Sequence, residues 1–275
     1  MKKINGILGV SLLILVGCST KVPIIAVQLS DDDGRNRATI SKQEVSDWVR
    51  YANSSWSGTG YEFTFDEERD FITVKSTLLN SIPADNDNRA WEYYNIIGNY
   101  LVSLQPATHV PVFFRSHGQT AWSWGPGQTN YISMPSWVNS CRKADSGENG
   151  RCESKCCPDG DLLAHSLGHY FGLAHTSSGI ACEAVRLENA DGDTAGLTAA
   201  NWDDVADTPA DPGVHCIQEQ SRCGGAVQVN GIEFRPPVRN LMSMYRCAKP
   251  KLSDGQKAVI ESARNNPWRI RLGAE

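Results

Sequence analysis

The residues best suited to chemistry stand in one stretch, His165-Ser166-Leu167-Gly168-His169-Tyr170-Phe171-Gly172-Leu173-Ala174-His175. His165 and His169 are four apart, so on a helix both rings leave the same face and can reach one ion. Gly172 can take the left-handed conformation that ends a helix and turns the chain back, which brings His175 within reach as a third nitrogen. Three imidazoles and an open coordination position are the ligand set of a catalytic Zn2+, not of a closed structural one. With 6 His and 24 Gly in 275 residues, chance supplies this four-point pattern only about 2 × 10⁻⁴ times in such a sequence. Histidines satisfied inside an apolar core would account for one of the three, but not for the spaced set.

The elements that must hold this stretch are legible on either side of it. Val22 to Leu29 is a compact apolar run that reads as a buried strand. Ser41-x-x-Glu44 is a capping box, after which Val45, Trp48, Val49 and Ala52 fall at helical spacing to about Trp56. Tyr61, Phe63 and Phe65 alternate as in a strand. Trp91, Tyr94, Ile97 and Leu101 share one face of a second helix. Val110 to Arg115 is a further strand, and a Gly-rich stretch from Gly118 to Gln128 leads to an extended segment from Tyr131 to Met134. Strands alternating with helices predict an α+β architecture, a mixed twisted sheet with two helices packed on it and a metal-binding helix. Beyond Cys141 the chain becomes cysteine-rich and loop-rich until Ser253-x-x-Gln256, a second capping box that opens a closing helix to about Arg264. Residues 18–172 and 173–275 form the two subdomains of this reading.

Composition narrows the function. Hydrophobic residues make up 40% and charged residues 21%, which excludes a disordered or coiled-coil chain. The net charge of −5 leaves no basic footprint and argues against a nucleic-acid partner. Lys2 and Lys3 precede a short apolar run, Ile7 to Val16, with the layout of an export signal. Leu15-Val16-Gly17-Cys18 resembles a bacterial lipobox, so residues 1–17 read as a lipoprotein signal and Cys18 as the lipidated residue; an ordinary secretory signal is the alternative. A lipid anchor at Cys18 makes the membrane a partner. Ser19, in place of the Asp of an inner-membrane retention signal, points to the outer membrane of a bacterial envelope.

Without Cys18, eight cysteines remain: Cys141, Cys152, Cys156, Cys157, Cys182, Cys216, Cys223 and Cys247. An even number in an exported chain reads as disulfides, with a metal cluster at Cys152, Cys156 and Cys157 as the rival. Asp191, Asp193 and Asp204 offer oxygens to Ca2+, though without an EF-type spacing a solvated acidic loop accounts for them better. Trp122 and Trp124 suit either a cleft or the core, while His109, His117 and His215 carry no evident role.

The histidine stretch resembles the long zinc motif of the metzincin metallopeptidases, H-E-x-x-H-x-x-G-x-x-H followed by a Met-turn. Asn240-Leu241-Met242-Ser243 is similar to that turn, with Met242 as the methionine beneath the metal. Cys182, the Asp207-Thr208-Pro209 triplet and Cys216, Cys223 and Cys247 resemble the pappalysin branch. The specific resemblance spans roughly residues 161–256. It implies a peptide or protein held in the cleft, bridges Cys182–Cys223 and Cys216–Cys247, and an edge strand for extended peptides at Tyr131 to Met134. Calcium near the acidic loop also fits the resemblance.

Two positions depart from the motif. Its glutamate, which takes the proton of the attacking water and passes it to the leaving amine, is replaced by Ser166, and a serine hydroxyl is no base near neutral pH. Where a tyrosine often stands two residues after the methionine, the chain has Met244; Tyr245, one place later, is the candidate to stabilise an oxyanion. Two lapses beside an intact ligand set suggest a pseudo-protease that kept its metal. The alternative is a working zinc endopeptidase that draws a base from elsewhere, with Glu183 the nearest candidate.

Overall fold

A computed structural model of the chain describes residues 19–81, 108–117, 121–123, 125–126, 130–135, 159–177, 203–217, 223–245, 247, 250–267 and 269. Strand β1 (Thr20–Ser30) is the spine of the sheet, and its alternation decides what lies above and below. Val22, Ile24 and Ala26 enter the larger core, while Ile25, Val27 and Leu29 enter a smaller one on the opposite face. A parallel strand covered on both sides reads as a continuous apolar run, which is the pattern found here. β2 (Tyr61–Thr64) and β3 (Phe71–Lys75) pair in parallel with successive halves of β1 along one side. β4 (Val110–Arg115) pairs in parallel along the other, and β5 (Ile132–Pro135) extends the sheet beyond β4.

In the strand order β5 is the last of the sheet, so Tyr131 to Met134 lies at its edge as expected, and the pairings of the named strands are all parallel. On the outer side of β5, Trp122 adds one isolated antiparallel bridge to Ser133, with N–H to O distances of 2.9 Å in both directions. The ring of Trp122 packs edge-on against Tyr131, 5.5 Å between centroids, at the border of the smaller core. Trp124 lies outside the described residues, as does the expected helix carrying Trp91, Tyr94, Ile97 and Leu101.

Helix α1 (Lys42–Ser55) begins at the expected capping box and buries Val45, Trp48, Val49 and Ala52. It packs beside α3 (Asp159–Tyr170), the helix that carries the first two histidines; the short α2 (Thr77–Ser81) lies between them in sequence. Trp56, which caps α1, donates its indole N–H to the Ala164 carbonyl at 3.1 Å and meets Phe171 edge-on at 5.2 Å. Such aromatic pairs contribute about 0.5–1.5 kcal/mol beyond their buried area.

The C-terminal part is built around its own small core of Ile217, Val227, Val229, Phe234, Tyr245, Cys216 and Cys247. It holds a hairpin of β6 (Val227–Val229) and β7 (Ile232–Phe234), turned by Asn230 and Gly231, both at positive φ. Helix α4 (Asp254–Ser262) starts at the second capping box, as expected. The expected bridges Cys182–Cys223 and Cys216–Cys247 are both replaced, because Cys223 is bonded to Cys247 with Cα atoms 5.7 Å apart. Cys216 is disulfide-bonded as well. A pairing inferred by resemblance fixes which cysteines are oxidised better than it fixes their partners, which the packing of the hairpin core decides. Cys141, Cys152, Cys156, Cys157 and Cys182 lie outside the described residues.

Candidate metal centre

The three histidines meet. His165 and His169 leave the same face of α3, and the Nε2 atoms of His165, His169 and His175 stand 2.9 to 3.1 Å from one another. Four ligands placed tetrahedrally about Zn2+ at 2.0–2.1 Å lie about 3.3 Å apart, so the trio matches three corners of such a site. The ring tautomers agree. His165 Nδ1 faces the Leu241 carbonyl at 2.7 Å and His169 Nδ1 faces the Leu173 carbonyl at 2.8 Å. A carbonyl only accepts, so each Nδ1 carries the proton and donates it, leaving the Nε2 lone pair for a metal. Burial pushes the pKa of His169 below its ordinary value, against the opposing pull of the Leu173 carbonyl, and keeps that ring in the neutral ligand form. All three rings are half-buried and so remain reachable. Among the described residues this is the one group of three or more His, Cys, Asp or Glu side chains able to share an ion.

The turn that delivers His175 has the expected geometry. Gly172 sits at φ +100°, the Leu173 N–H reaches back to the Gly168 carbonyl, and the Gly172 N–H reaches the His169 carbonyl. These two bonds form a Schellman motif, and the left-handed residue it needs is the glycine. One contact beneath the site was not legible from spacing. Met242 is fully buried against Gly168, where a Cβ would stand only 2.3 Å from the Met242 sulfur. The Met-turn thus rests on the bare backbone of α3 between the two histidines, and the Met242 carbonyl accepts from Thr176 N–H, next to His175.

Other residues lock the turn in place. Asn240 and Gln256 exchange side-chain amide bonds of 2.8 and 3.1 Å, so the residue that completes the capping box of α4 also holds the Met-turn. Asp207, of the Asp-Thr-Pro triplet, accepts from Ser253 Oγ and Gly255 N–H at the start of α4. Asp211 is wholly buried and accepts from Thr176 Oγ1 at 2.7 Å, Gly213 N–H at 2.9 Å and Tyr245 Oη at 2.9 Å. Burial raises the carboxyl pKa of Asp211, and burial together with that carboxylate raises the phenol of Tyr245. At the C-terminal end of α3, next to His169, Arg269 lies over the Tyr170 ring at 3.6 Å and donates to the Tyr170 carbonyl and to Asn130. Neither Asp211 nor Arg269 belongs to a local pattern; only the folded chain brings them to the site.

Two expectations change. Tyr245 does not present its hydroxyl as an oxyanion stabiliser, because that hydroxyl is bound to Asp211 inside the C-terminal core. Asp204 is exposed at φ +53° and joins no shared-ion group among the described residues, while Asp191, Asp193 and Glu183 lie outside them. Ser166 is 2% exposed, and Met244 is 45% exposed beside the Met-turn. His109 contacts Thr108, and neither it, His117 nor His215 joins the trio.

Two measurements follow from this geometry. Gly168→Ala forces a methyl group against the Met242 thioether, and overpacking of this kind costs about 1–3 kcal/mol; chemical denaturation of the variant is expected to show that loss together with weaker metal retention. Zinc at a hundredfold excess over its Kd should stabilise the native chain by about 2.7 kcal/mol. Calorimetric melting should lose that gain on chelation and in His169→Ala.

No family model and no curated protein matches the chain by sequence. Solved structures do match by shape. Mature mirolysin of Tannerella forsythia in complex with a cleaved peptide is 13% identical with a TM-score of 0.59, over 93% of this chain and 96% of its own. Mirolysin in complex with another compound aligns over the same shares at 12% identity and a TM-score of 0.59. A mutant of Tannerella forsythia promirolysin aligns at 14% identity and 0.57, over 92% of this chain and 84% of that one. The likeness is one of architecture: the chain has the metzincin-like fold shared by mirolysin, with its three histidines gathered at one point.

Proposed function

We propose that the chain is a pappalysin-like, zinc-binding protein of the bacterial envelope, lipid-anchored at the outer membrane. It holds a peptide in a metallopeptidase-type cleft and has lost, or strongly reduced, the power to cut it. The observation that carries this reading is the convergence of three Nε2 atoms beside a serine at the position of the motif's base. His165, His169 and His175 would hold Zn2+, which when bound acts as a Lewis acid toward a carbonyl or a water. The residues that should manage protons are otherwise engaged or missing. Ser166 cannot act as a base, and Tyr245 donates to Asp211. The Asp207-Thr208-Pro209 triplet and the Met-turn support the pappalysin likeness; the cysteine pairing does not.

The rim of the sheet supports peptide binding. Trp122 spends its own N–H and carbonyl on Ser133, so in an antiparallel ladder the groups of Ala121 and Ser123 turn outward. An extended peptide could add there as a strand. Mirolysin has been seen in complex with a cleaved peptide, which favours a peptide ligand for this cleft and supports active endopeptidase function through a different base as the second reading.

Ser166→Glu separates the two readings. The wild-type chain, loaded with zinc and incubated with a mixed peptide library, is expected to show negligible cleavage by mass spectrometry. The variant should gain about 10²-fold or more, the range a general base contributes. Equal, chelator-sensitive turnover by both proteins would establish the endopeptidase instead. The anchor has its own check: Cys18→Ala should move the protein from the membrane to the soluble fraction, and undiminished membrane retention would reject lipidation.

A further inference from the structure

Strand β1 starts at Thr20, two residues after the cysteine of the lipobox-like run. Those two residues are not slack. Ser19 Oγ donates to Glu62 at 3.1 Å, Thr20 N–H donates to the Gly60 carbonyl at 2.8 Å, and Thr20 is in register with Tyr61. Two residues span at most about 7 Å, and the headgroup layer of one leaflet is about 5–8 Å deep. From these lengths, and resting on the proposed lipidation of Cys18, we infer that the face around the start of β1 is a bilayer-contact surface. It is made by Ser19, Lys21, the exposed positions from Ser57 to Glu62, and the side chains of Lys257 and Arg264, and it sits directly among phospholipid headgroups with no tether between.

The make-up of that face fits a headgroup layer. Arg264 donates to the Gly60 carbonyl at 2.7 Å and lies over the Tyr61 ring at 4.8 Å, while the end of Lys257 lies beside Gly58. Charge is balanced there: Lys257 is paired with Asp254, and Lys21 and Arg264 are accompanied by Glu62 and Glu261. The acyl chains therefore supply the attachment, at roughly 0.8 kcal/mol per buried methylene, and the face has no need of anionic lipid. Seating also sets the direction of the cleft. Tyr61 packs on Phe171 at 4.8 Å, two residues beyond His169, so the histidine end of α3 is the end turned toward the bilayer. The peptides within reach are those emerging close to the membrane surface.

Hydrogen exchange of the full, acylated protein in phosphatidylcholine vesicles tests the inference, against the same protein with a flexible 15-residue Gly/Ser insert between Cys18 and Ser19. Residues 57–62 should exchange about threefold or more slowly in the native protein than in the insert variant. Residues 71–75, along the far half of β1, should be unchanged. The contrast should persist in high salt and with added anionic lipid. Equal exchange of residues 57–62 in two proteins shown by mass spectrometry to be acylated overturns the seating surface and leaves the anchor standing. A mature chain without acyl groups on Cys18 overturns the anchor and the surface together.

Discussion

Three imidazole nitrogens stand 2.9 to 3.1 Å apart, and at least those of His165 and His169 present lone pairs to each other, an arrangement that a cation would relieve. The rest of the site reads as the machinery that keeps it assembled. Two ring N–H groups are pinned to carbonyls on different segments, Leu241 in the Met-turn and Leu173 just past the helix. The third ring is delivered by a Schellman turn that only a residue tolerant of positive φ can make. The meeting of the three nitrogens is therefore a property of backbone geometry as much as of histidine spacing. A change in the Met-turn alters the orientation of His165 without touching a ligand.

The C-terminal part acts as the clamp of that geometry. Met242 presses on the missing Cβ of Gly168, Asn240 ties Met242 to the start of α4 through Gln256, and Asp211 ties Thr176 to Tyr245. Each link joins segments far apart in sequence, and each is buried or half-buried, where an unmade hydrogen bond costs about 1–3 kcal/mol. Asp211 illustrates the economy of this design. Its raised pKa reflects burial, yet three donors surround it, so the carboxylate serves as an anchor for chain segments and its oxygens are not free for proton transfer.

Much of this was readable before folding because it is local. The two capping boxes, the apolar run of β1, the i, i+4 histidines and the turning glycine depend on residues within a few positions of one another, and the structure places all of them as expected. What the sequence concealed is long-range. The segment from Tyr131 to Met134 takes its place at the sheet edge, but nothing local in the sequence announces the single bridge that Trp122 adds outside it at Ser133. Tyr245 stands one position from the expected tyrosine, and in a turn one residue is enough to send the hydroxyl into the core. The cysteine partners failed for the same reason, since their proximity is set by the hairpin of β6 and β7, whose Asn-Gly turn carries no information about disulfides.

On the proposed reading, Ser166 at the place of the motif's glutamate gains meaning from what surrounds it. A zincin cleft combines ground-state binding, through the metal and the strand edge, with proton transfer that matters only as the bond breaks. Removing the base takes away the second and leaves the first, and only stabilisation that grows toward the transition state accelerates a reaction. Such a loss would correspond to about 3–5 kcal/mol of barrier, whereas the three histidines, the turn at Met242 and the segment around Trp122 would be untouched by it. On the proposed reading the position next to His165 also carries no negative charge, so a peptide carbonyl or carboxylate would meet a bound cation with one competitor fewer, and the residue that weakens cutting would favour holding.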